Sequence, residues 1–324
     1  MLLWPQLSFQ HSDLFWWNPW VMFTSIGMVC LSLSRFFGIE QAFMAPEIAL
    51  GVILTQVLSL GITHGNPSDR TGAFDELLFA FDTRFFGSQC DVILGKLFDR
   101  YFPLRLFFVQ IYNALPLAFV LAYLALPNSK RVRRQYCAMM ALPAVVLVAM
   151  YTVCPGAGPR YLFRNDFPFS TKAIMEPHVI VFSQPVLLNT TPSGHLAWAL
   201  LLFWIVRRHS ASKAARYVAG TFVALTAVST MGTGEHYLID LVLALPFAAG
   251  IWDMVMGRWK WALGYSLSVV VWSVGLRLGW ALDAPSPVVW VAMIATMAVP
   301  ILARQHAARA LTVGPEVCPE HSPA

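Results

Sequence analysis

Long apolar runs recur along this chain, and they limit what it can fold into more than any other feature does. An α-helix crosses a bilayer with about 20 residues. Eight runs of 15 or more residues come close to that length, at 19–37, 44–62, 106–126, 137–154, 217–231, 237–256, 262–281 and 287–303, and eleven apolar residues after His195 would form a ninth, short span. Only 12% of the 324 residues are charged, against about 25% in soluble domains. We therefore predict an all-α, polytopic transmembrane helix bundle with eight or nine spans.

Basic residues in the short loops predict how such a bundle is oriented. They cluster at 128–135, 207–216 and 257–260, and short basic loops generally face the cytoplasm. Residues 155–194 and 232–236 would then share the external face, which is the periplasm or an organelle lumen. The net charge of +5 comes mainly from these loops, and it does not indicate nucleic-acid binding.

Residues 63–105 differ from the apolar runs, because charged side chains interrupt their aromatic and aliphatic residues too often for a spanning helix. An amphipathic element that lies in the membrane interface fits this pattern. At the other end of the chain, the polar residues 305–324 predict a disordered tail.

Two short motifs on the external face each place a histidine where a helix begins. In TPSGH, residues 191–195, Thr191 or Ser193 can cap the helix, Gly194 lets the backbone approach a ligand, and the free amides suit a phosphate group. In GEHYLID, His236 and Asp240 are four residues apart and share one helix face, so the carboxylate can accept the ring N–H and fix the tautomer. The imidazole would then be a base or a nucleophile.

Simpler interpretations of these motifs stay open at this point. The first motif also fits an ordinary capped helix with an interfacial histidine, and the second fits a pair that makes only local hydrogen bonds. A metal site would need further ligands such as His178 and Glu235, whose spacing is not diagnostic, so no metal is predicted. A third stretch, PGAGPRYLF, supplies a fixed positive charge at Arg160, which could bind phosphate, a headgroup or solvent.

Taken in order, PRY, PSGH and His-x-x-x-Asp resemble the phosphatidic acid phosphatase type 2 superfamily of integral membrane lipid phosphatases, over roughly residues 105–256. The form GEHYLID is most similar to the branch that includes inositol phosphorylceramide synthases. The resemblance implies a six-helix phosphatase-like core. It divides the chain into N-terminal transmembrane helices (1–62), the external segment (63–105), a catalytic transmembrane core (106–256), C-terminal transmembrane helices (257–304) and the tail (305–324).

The resemblance also implies a role for each motif residue. His236 attacks phosphorus, Asp240 orients it, and His195 protonates the departing oxygen. The phosphoryl oxygens meet Arg160, Ser193 and Gly194, with Tyr161 and Lys172 as further phosphate-binding candidates. One departure is plain, because Thr230 occupies the place of an arginine that typical members carry; Arg84, Arg164 or Lys172 could replace it.

The predicted function is hydrolysis of a lipid phosphate monoester or pyrophosphate through a phosphohistidine, without metal or cofactor. The partners expected are a lipid phosphate substrate and the bilayer. Transfer of a phospho-headgroup to a lipid or polyol hydroxyl would use the same residues. A transporter or a lipid-binding scaffold is the alternative from another class, but charges at mid-span, which transporters use, are scarce.

Overall fold

The computed structural model describes residues 73–87, 90–163, 167–169 and 189–312, and all regular secondary structure within them is helical. The prediction of an all-α chain is confirmed for these residues. Two of the predicted spans, 19–37 and 44–62, lie outside the described residues. The helices are α1 (Ala73–Phe86), α2 (Cys90–Arg100), α3 (Phe102–Asn113), α4 (Leu115–Leu124), α5 (Lys130–Val153), α6 (Pro159–Phe163), α7 (Gly194–His209), α8 (Lys213–Gly232), α9 (Leu238–Val255), α10 (Trp259–Arg277), α11 (Trp280–Asp283) and α12 (Ser286–Thr312).

Helix α9 lies at the centre of the bundle and is buried along most of its length. It contacts α1, α5, α7, α10 and α12. Small side chains on α9, among them Ala244, Ala248 and Gly250, let the neighbouring helix backbones approach closely. Because α9 begins two residues after His236, this packing fixes the position of the second histidine motif.

Three described helices are long and apolar enough to cross a membrane, within Lys130–Tyr151, Leu238–Val255 and Ser286–Ala303. A fourth candidate is the pair α3 and α4, which bends by 58° between Asn113 and Leu115. Pro116 explains the bend, because it has no N–H to donate to the carbonyl four residues earlier. The described residues thus contain three or four candidate spans, so the count of eight or nine and the six-helix core stay predictions.

Helix α1 belongs to the charged segment 63–105, and it packs inside the protein. It contacts α6, α9, α10 and α11, and it buries Asp75 and Asp82 together with Leu78 and Phe81. The two carboxylates therefore face protein rather than the membrane interface. At the other end of the chain, α12 continues to Thr312, and the rest of the predicted tail 305–324 lies outside the described residues.

The basic clusters and the histidine motifs lie at opposite ends of the central helices. Helices α5 and α8 begin in basic clusters, whereas α7 and α9 end in or beside them. The Gln135 side chain near the start of α5 donates to Met256 Sδ just after α9, at 3.4 Å. This contact confirms that the basic ends of α5 and α9 are neighbours, which leaves the motifs together at the other end.

Candidate active site

Backbone hydrogen bonds join the three polar stretches into one site. The Arg160 amide donates to the Gly234 carbonyl at 2.9 Å. The Thr190 amide donates to the Gly156 carbonyl, and the Ser193 amide to the Asp240 carbonyl, both at 3.1 Å. The PGAGPRYLF turn, the start of α7 and the turn between α8 and α9 are therefore fixed relative to one another.

His236 is buried, with 2% of its surface exposed, and its ring orientation is set by the backbone. Nδ1 lies 3.0 Å from the carbonyl oxygen of Thr190 and 3.6 Å from Asp240 Oδ2. Since a carbonyl oxygen can only accept a hydrogen bond, Nδ1 carries a proton, and in the neutral ring Nε2 then has the lone pair. The ring N–H that was predicted to bind the Asp240 carboxylate binds the Thr190 carbonyl instead.

Asp240 is fully buried in the first turn of α9 and is held by two donors. Its Oδ1 accepts from the Thr191 hydroxyl at 2.6 Å, and its Oδ2 accepts from the Tyr237 amide at 2.9 Å. The carboxylate thus caps the helix while its negative charge remains next to the His236 ring. Asp240 therefore acts on the His236 ring through its charge and not through a hydrogen bond.

His195 lies at the second position of α7, and its ring stacks on Tyr112 with centroids 4.0 Å apart. The Ser193 hydroxyl caps α7 by accepting from the Leu196 amide at 3.4 Å. At Gly194 an added Cβ would lie 2.9 Å from the Tyr151 hydroxyl, so a larger residue would require the Tyr151 side chain to shift.

Arg160 meets a carboxylate in this site. Its Nη1 lies 3.2 Å from Glu235 Oε1, and the side chains are 33% and 10% exposed. The Arg160 guanidinium also lies 5.8 Å from the ring centre of Tyr161. The Glu235 charge, followed by burial, raises the pKa of Tyr161, so its hydroxyl is neutral and can donate. Lys172 lies outside the described residues.

Thr230, which occupies the place of the arginine of typical members, is uncharged. Thr230 is buried, and its hydroxyl donates to the Ala227 carbonyl at 3.0 Å. Ser229 likewise donates to the Phe108 carbonyl at 2.5 Å. Of the proposed replacements, Arg84 is exposed and donates to the Ala284 carbonyl at 3.4 Å, while Arg164 and Lys172 are not among the described residues. In the described part of the chain, no group of three His, Cys, Asp or Glu residues has the arrangement of a metal site.

Sequence reasoning missed two aspartates of α1 that contact the site from behind. Both oxygens of Asp75 accept from the Ala157 amide at 2.9 Å. Oδ1 also accepts from the Gly158 amide at 2.7 Å and from the Tyr237 hydroxyl at 3.0 Å. Asp82 accepts from the Leu238 amide at 2.6 Å, at the start of α9. The spacing of the two aspartates indicates only that they share one face of a helix, since residues seven apart do so.

Two histidines beside helix starts, with an arginine near them, form the candidate site. The described residues contain several apolar helices, which is compatible with a membrane protein. Residues 76–254 match the family model described as the PAP2 superfamily. The match covers more than half of the chain, so the protein belongs to the PAP2 superfamily, whose members are generally phosphatases or phosphotransferases. Comparisons with curated proteins and with solved structures found no match.

Proposed function

We propose that this protein is a metal-independent membrane lipid phosphatase, which hydrolyses a lipid phosphate monoester or pyrophosphate through a phosphohistidine on His236. One observation carries the proposal. Nδ1 of His236 is bound to a carbonyl oxygen, so Nε2 keeps the lone pair that a nucleophile needs. The arrangement is characteristic of a nucleophile rather than of a helix cap.

In the first step, Nε2 of His236 forms a bond to phosphorus while the bond from phosphorus to the leaving oxygen breaks. His195 donates a proton to that oxygen. In the second step, water attacks the phosphohistidine, His195 takes the proton of the water, and inorganic phosphate leaves. A monoester yields the lipid alcohol and inorganic phosphate, a pyrophosphate yields the lipid monophosphate and inorganic phosphate, and His236 returns to its starting state.

The charge that develops on the phosphoryl oxygens needs donors, and four site residues can supply them. Arg160 provides a guanidinium, Ser193 a hydroxyl, Gly194 an amide at the start of α7, and Tyr161 a neutral hydroxyl. The Asp240 carboxylate, 3.6 Å from Nδ1, stabilises the positive charge that the ring gains when Nε2 binds phosphorus. Lys172 is retained as a phosphate-binding candidate from the sequence alone.

The location of the site follows from the loop charges. The basic clusters lie at the helix ends opposite the histidines, and short basic loops generally face the cytoplasm. We therefore place the active site of this multi-pass protein at the external face of its membrane. There a lipid headgroup can reach His236 while the acyl chains stay in the bilayer.

A second candidate is favoured by the charge of the site. The Arg160 guanidinium already faces Glu235 at 3.2 Å, and Thr230 stands where a second arginine would be. A phosphate monoester carries about −1.5 to −2 charges near pH 7, whereas a phosphodiester carries only one. A site with little net positive charge suits a phosphodiester donor, as in the headgroup transfer of the inositol phosphorylceramide synthase-like branch.

The first experiment is release of inorganic phosphate from lipid monophosphates and pyrophosphates by the purified protein in detergent with EDTA. The His236→Ala and His195→Ala variants are compared with His209→Ala, which changes a histidine at the opposite end of α7. We expect release by the wild type and by His209→Ala, and none by the other two. Full activity of His236→Ala would overturn the mechanism.

The same experiment distinguishes hydrolysis from transfer. If no lipid phosphate releases inorganic phosphate, phospholipid donors are tested with lipid or polyol acceptors. Product that requires both donor and acceptor, and that is lost in His236→Ala, would establish the transferase. Absence of both reactions in the wild type would reject both candidates.

A further inference from the structure

We propose that Asp75 is a positioning residue that sets the spacing between Arg160 and the nucleophile His236. The inference rests on the proposed function, because it assumes that both residues contact one phosphoryl group. Asp75 is fully buried on α1. It binds one group on each side of the site, the turn before Arg160 and the side chain after His236.

The first contact fixes the direction in which Arg160 leaves its turn. Asp75 accepts from the amides of Ala157 and Gly158, directly before α6. Gly158 has φ +98°, and an added Cβ would lie 2.5 Å from the carbonyl oxygen of Glu235. The turn is therefore pressed against the residue that precedes His236, and Asp75 holds it there.

The second contact fixes the backbone at the nucleophile. Tyr237 follows His236 in the chain, is fully buried, and donates its hydroxyl to Asp75 Oδ1 at 3.0 Å. About two turns further along α1, Asp82 accepts from the amides of the two residues that follow Tyr237, which are Leu238 and Ile239. Helix α1 thus holds the start of α9 at two points and the Arg160 turn at one.

A carboxylate accepts from every donor around Asp75 without opposing any of them: Oδ1 accepts from both amides and the hydroxyl, and Oδ2 shares the Ala157 amide. Two amides and one hydroxyl point at its two oxygens. An asparagine would offer one acceptor oxygen, and its amino group would oppose one of the donors. Burial raises the pKa of Asp75 to about 7, although the Ala157 and Gly158 amides and the Tyr237 hydroxyl lower it in part. The carboxylate is thus retained at an electrostatic cost.

The positioning matters because in-line transfer requires the nucleophile to reach the phosphorus atom while the cation binds the oxygens of the same phosphoryl group. A misplacement of about 1 Å can cost up to about 100-fold in rate. Loss of the Asp75 contacts would let the Arg160 turn and the start of α9 shift independently. We therefore expect weaker binding of a phosphoryl-like anion as well as slower turnover.

Orthovanadate is a suitable probe, since it can bond to a histidine nitrogen while its remaining oxygens meet an arginine. Its affinity for the detergent-purified full chain is measured by isothermal titration calorimetry, alongside hydrolysis of phosphatidic acid. The variants are Asp75→Asn, Tyr237→Phe and the double variant. Asp99→Asn is the matched control, because it makes the same chemical change at an exposed carboxylate on α2.

We expect Asp75→Asn to weaken vanadate binding about tenfold or more and Tyr237→Phe to weaken it about threefold. The double variant should be no weaker than Asp75→Asn, because both changes break one linkage. Asp99→Asn should match the wild type. A purely structural Asp75 would lower the melting temperature and the number of titratable sites, yet leave the affinity of each remaining site unchanged.

Wild-type vanadate affinity in Asp75→Asn would overturn the inference and leave the proposed function intact. If Asp75→Asn does not fold, Tyr237→Phe decides, and unchanged affinity there has the same meaning. A wild type that neither binds vanadate nor turns over phosphatidic acid, other lipid phosphates or phospholipid donors would reject the proposed function itself.

Discussion

Nδ1 of His236 lies 3.0 Å from the backbone carbonyl oxygen of Thr190. The acceptor that fixes the tautomer is therefore a main-chain atom, which no side-chain substitution removes. The Thr190 amide in turn is bound to the Gly156 carbonyl at 3.1 Å. The orientation of His236, the proposed nucleophile, thus depends on the PGAGPRYLF turn as well as on its own motif.

We predict that Asp240→Asn lowers kcat by about 10- to 100-fold, whereas His236→Ala abolishes turnover. The reason is that the Thr190 carbonyl keeps Nδ1 protonated, while the charge that stabilises the phosphohistidine is lost. Steady-state kinetics on the best substrate of the panel measure the difference. If Asp240→Asn is as inactive as His236→Ala while its melting temperature is unchanged, the Thr190 carbonyl does not suffice to orient the ring.

The turn before Arg160 yields a prediction on stability. Gly158→Ala should lower the free energy of unfolding by about 1–3 kcal/mol, because its φ is +98° and the new Cβ would meet the Glu235 carbonyl. Gly264→Ala is the control, since its Cβ would meet no atom within 4 Å and alanine favours a helix by up to about 1 kcal/mol. Thermal unfolding in detergent tests the pair, and equal melting temperatures would contradict the turn geometry.

The ion pair in the site predicts an effect on anion binding. Glu235→Gln should tighten the binding of inorganic phosphate by about tenfold, because the competing negative charge near Arg160 is removed. Arg160→Gln should weaken it by a similar factor. Competitive inhibition by phosphate, measured at two salt concentrations, tests both changes. Weaker inhibition of Glu235→Gln than of the wild type would mean that Glu235 supports phosphate binding.

A buried acid on α2 predicts a pH dependence of stability. Burial raises the pKa of Asp91 to about 7, while the amides of Val92 and Asp91 lower it in part; the unfolded value is about 3.9. The folded state therefore holds the proton more tightly, so stability from this group is complete below pH ~4 and is lost as the pH rises to about 7. Each pKa unit corresponds to about 1.4 kcal/mol.

Asp91→Asn should therefore melt at a higher temperature than the wild type at pH 8 and gain little at pH 4. The comparison is between variant and wild type at each pH, because Asp75 titrates over a similar range. Asp99→Asn, at an exposed position, is the control. A gain from Asp91→Asn that is the same at both pH values would argue against a protonated Asp91.

Much of the helical framework could be predicted from apolar periodicity. The runs at 137–154 and 237–256 correspond to α5 and α9, and the basic loop at 128–135 marks where α5 begins. The superfamily prediction is confirmed by the family match, whereas the synthase-like branch stays a prediction. The order of the short motifs was enough to predict the superfamily, because each motif lies at a helix end.

The supporting contacts could not be predicted, for two physical reasons. The Thr190 carbonyl is a backbone group, and residue types do not show where a carbonyl points. Asp75 and Ala157 are separated by 82 positions, and a charge in an apolar segment looks the same whether it faces headgroups or buried amides. The bend between α3 and α4 likewise depends on packing around Pro116, which marks a break but not its angle.

The contacts of α1 also lengthen the stretch of chain on which this site depends. The three histidine and arginine motifs all lie after residue 155, yet the donors behind them are satisfied only by carboxylates at Asp75 and Asp82. A fragment that starts at α3 would retain every motif residue and leave those buried amides without acceptors. The part of the chain on which the candidate site depends therefore extends upstream to α1, which a ribosome completes long before His236 is made.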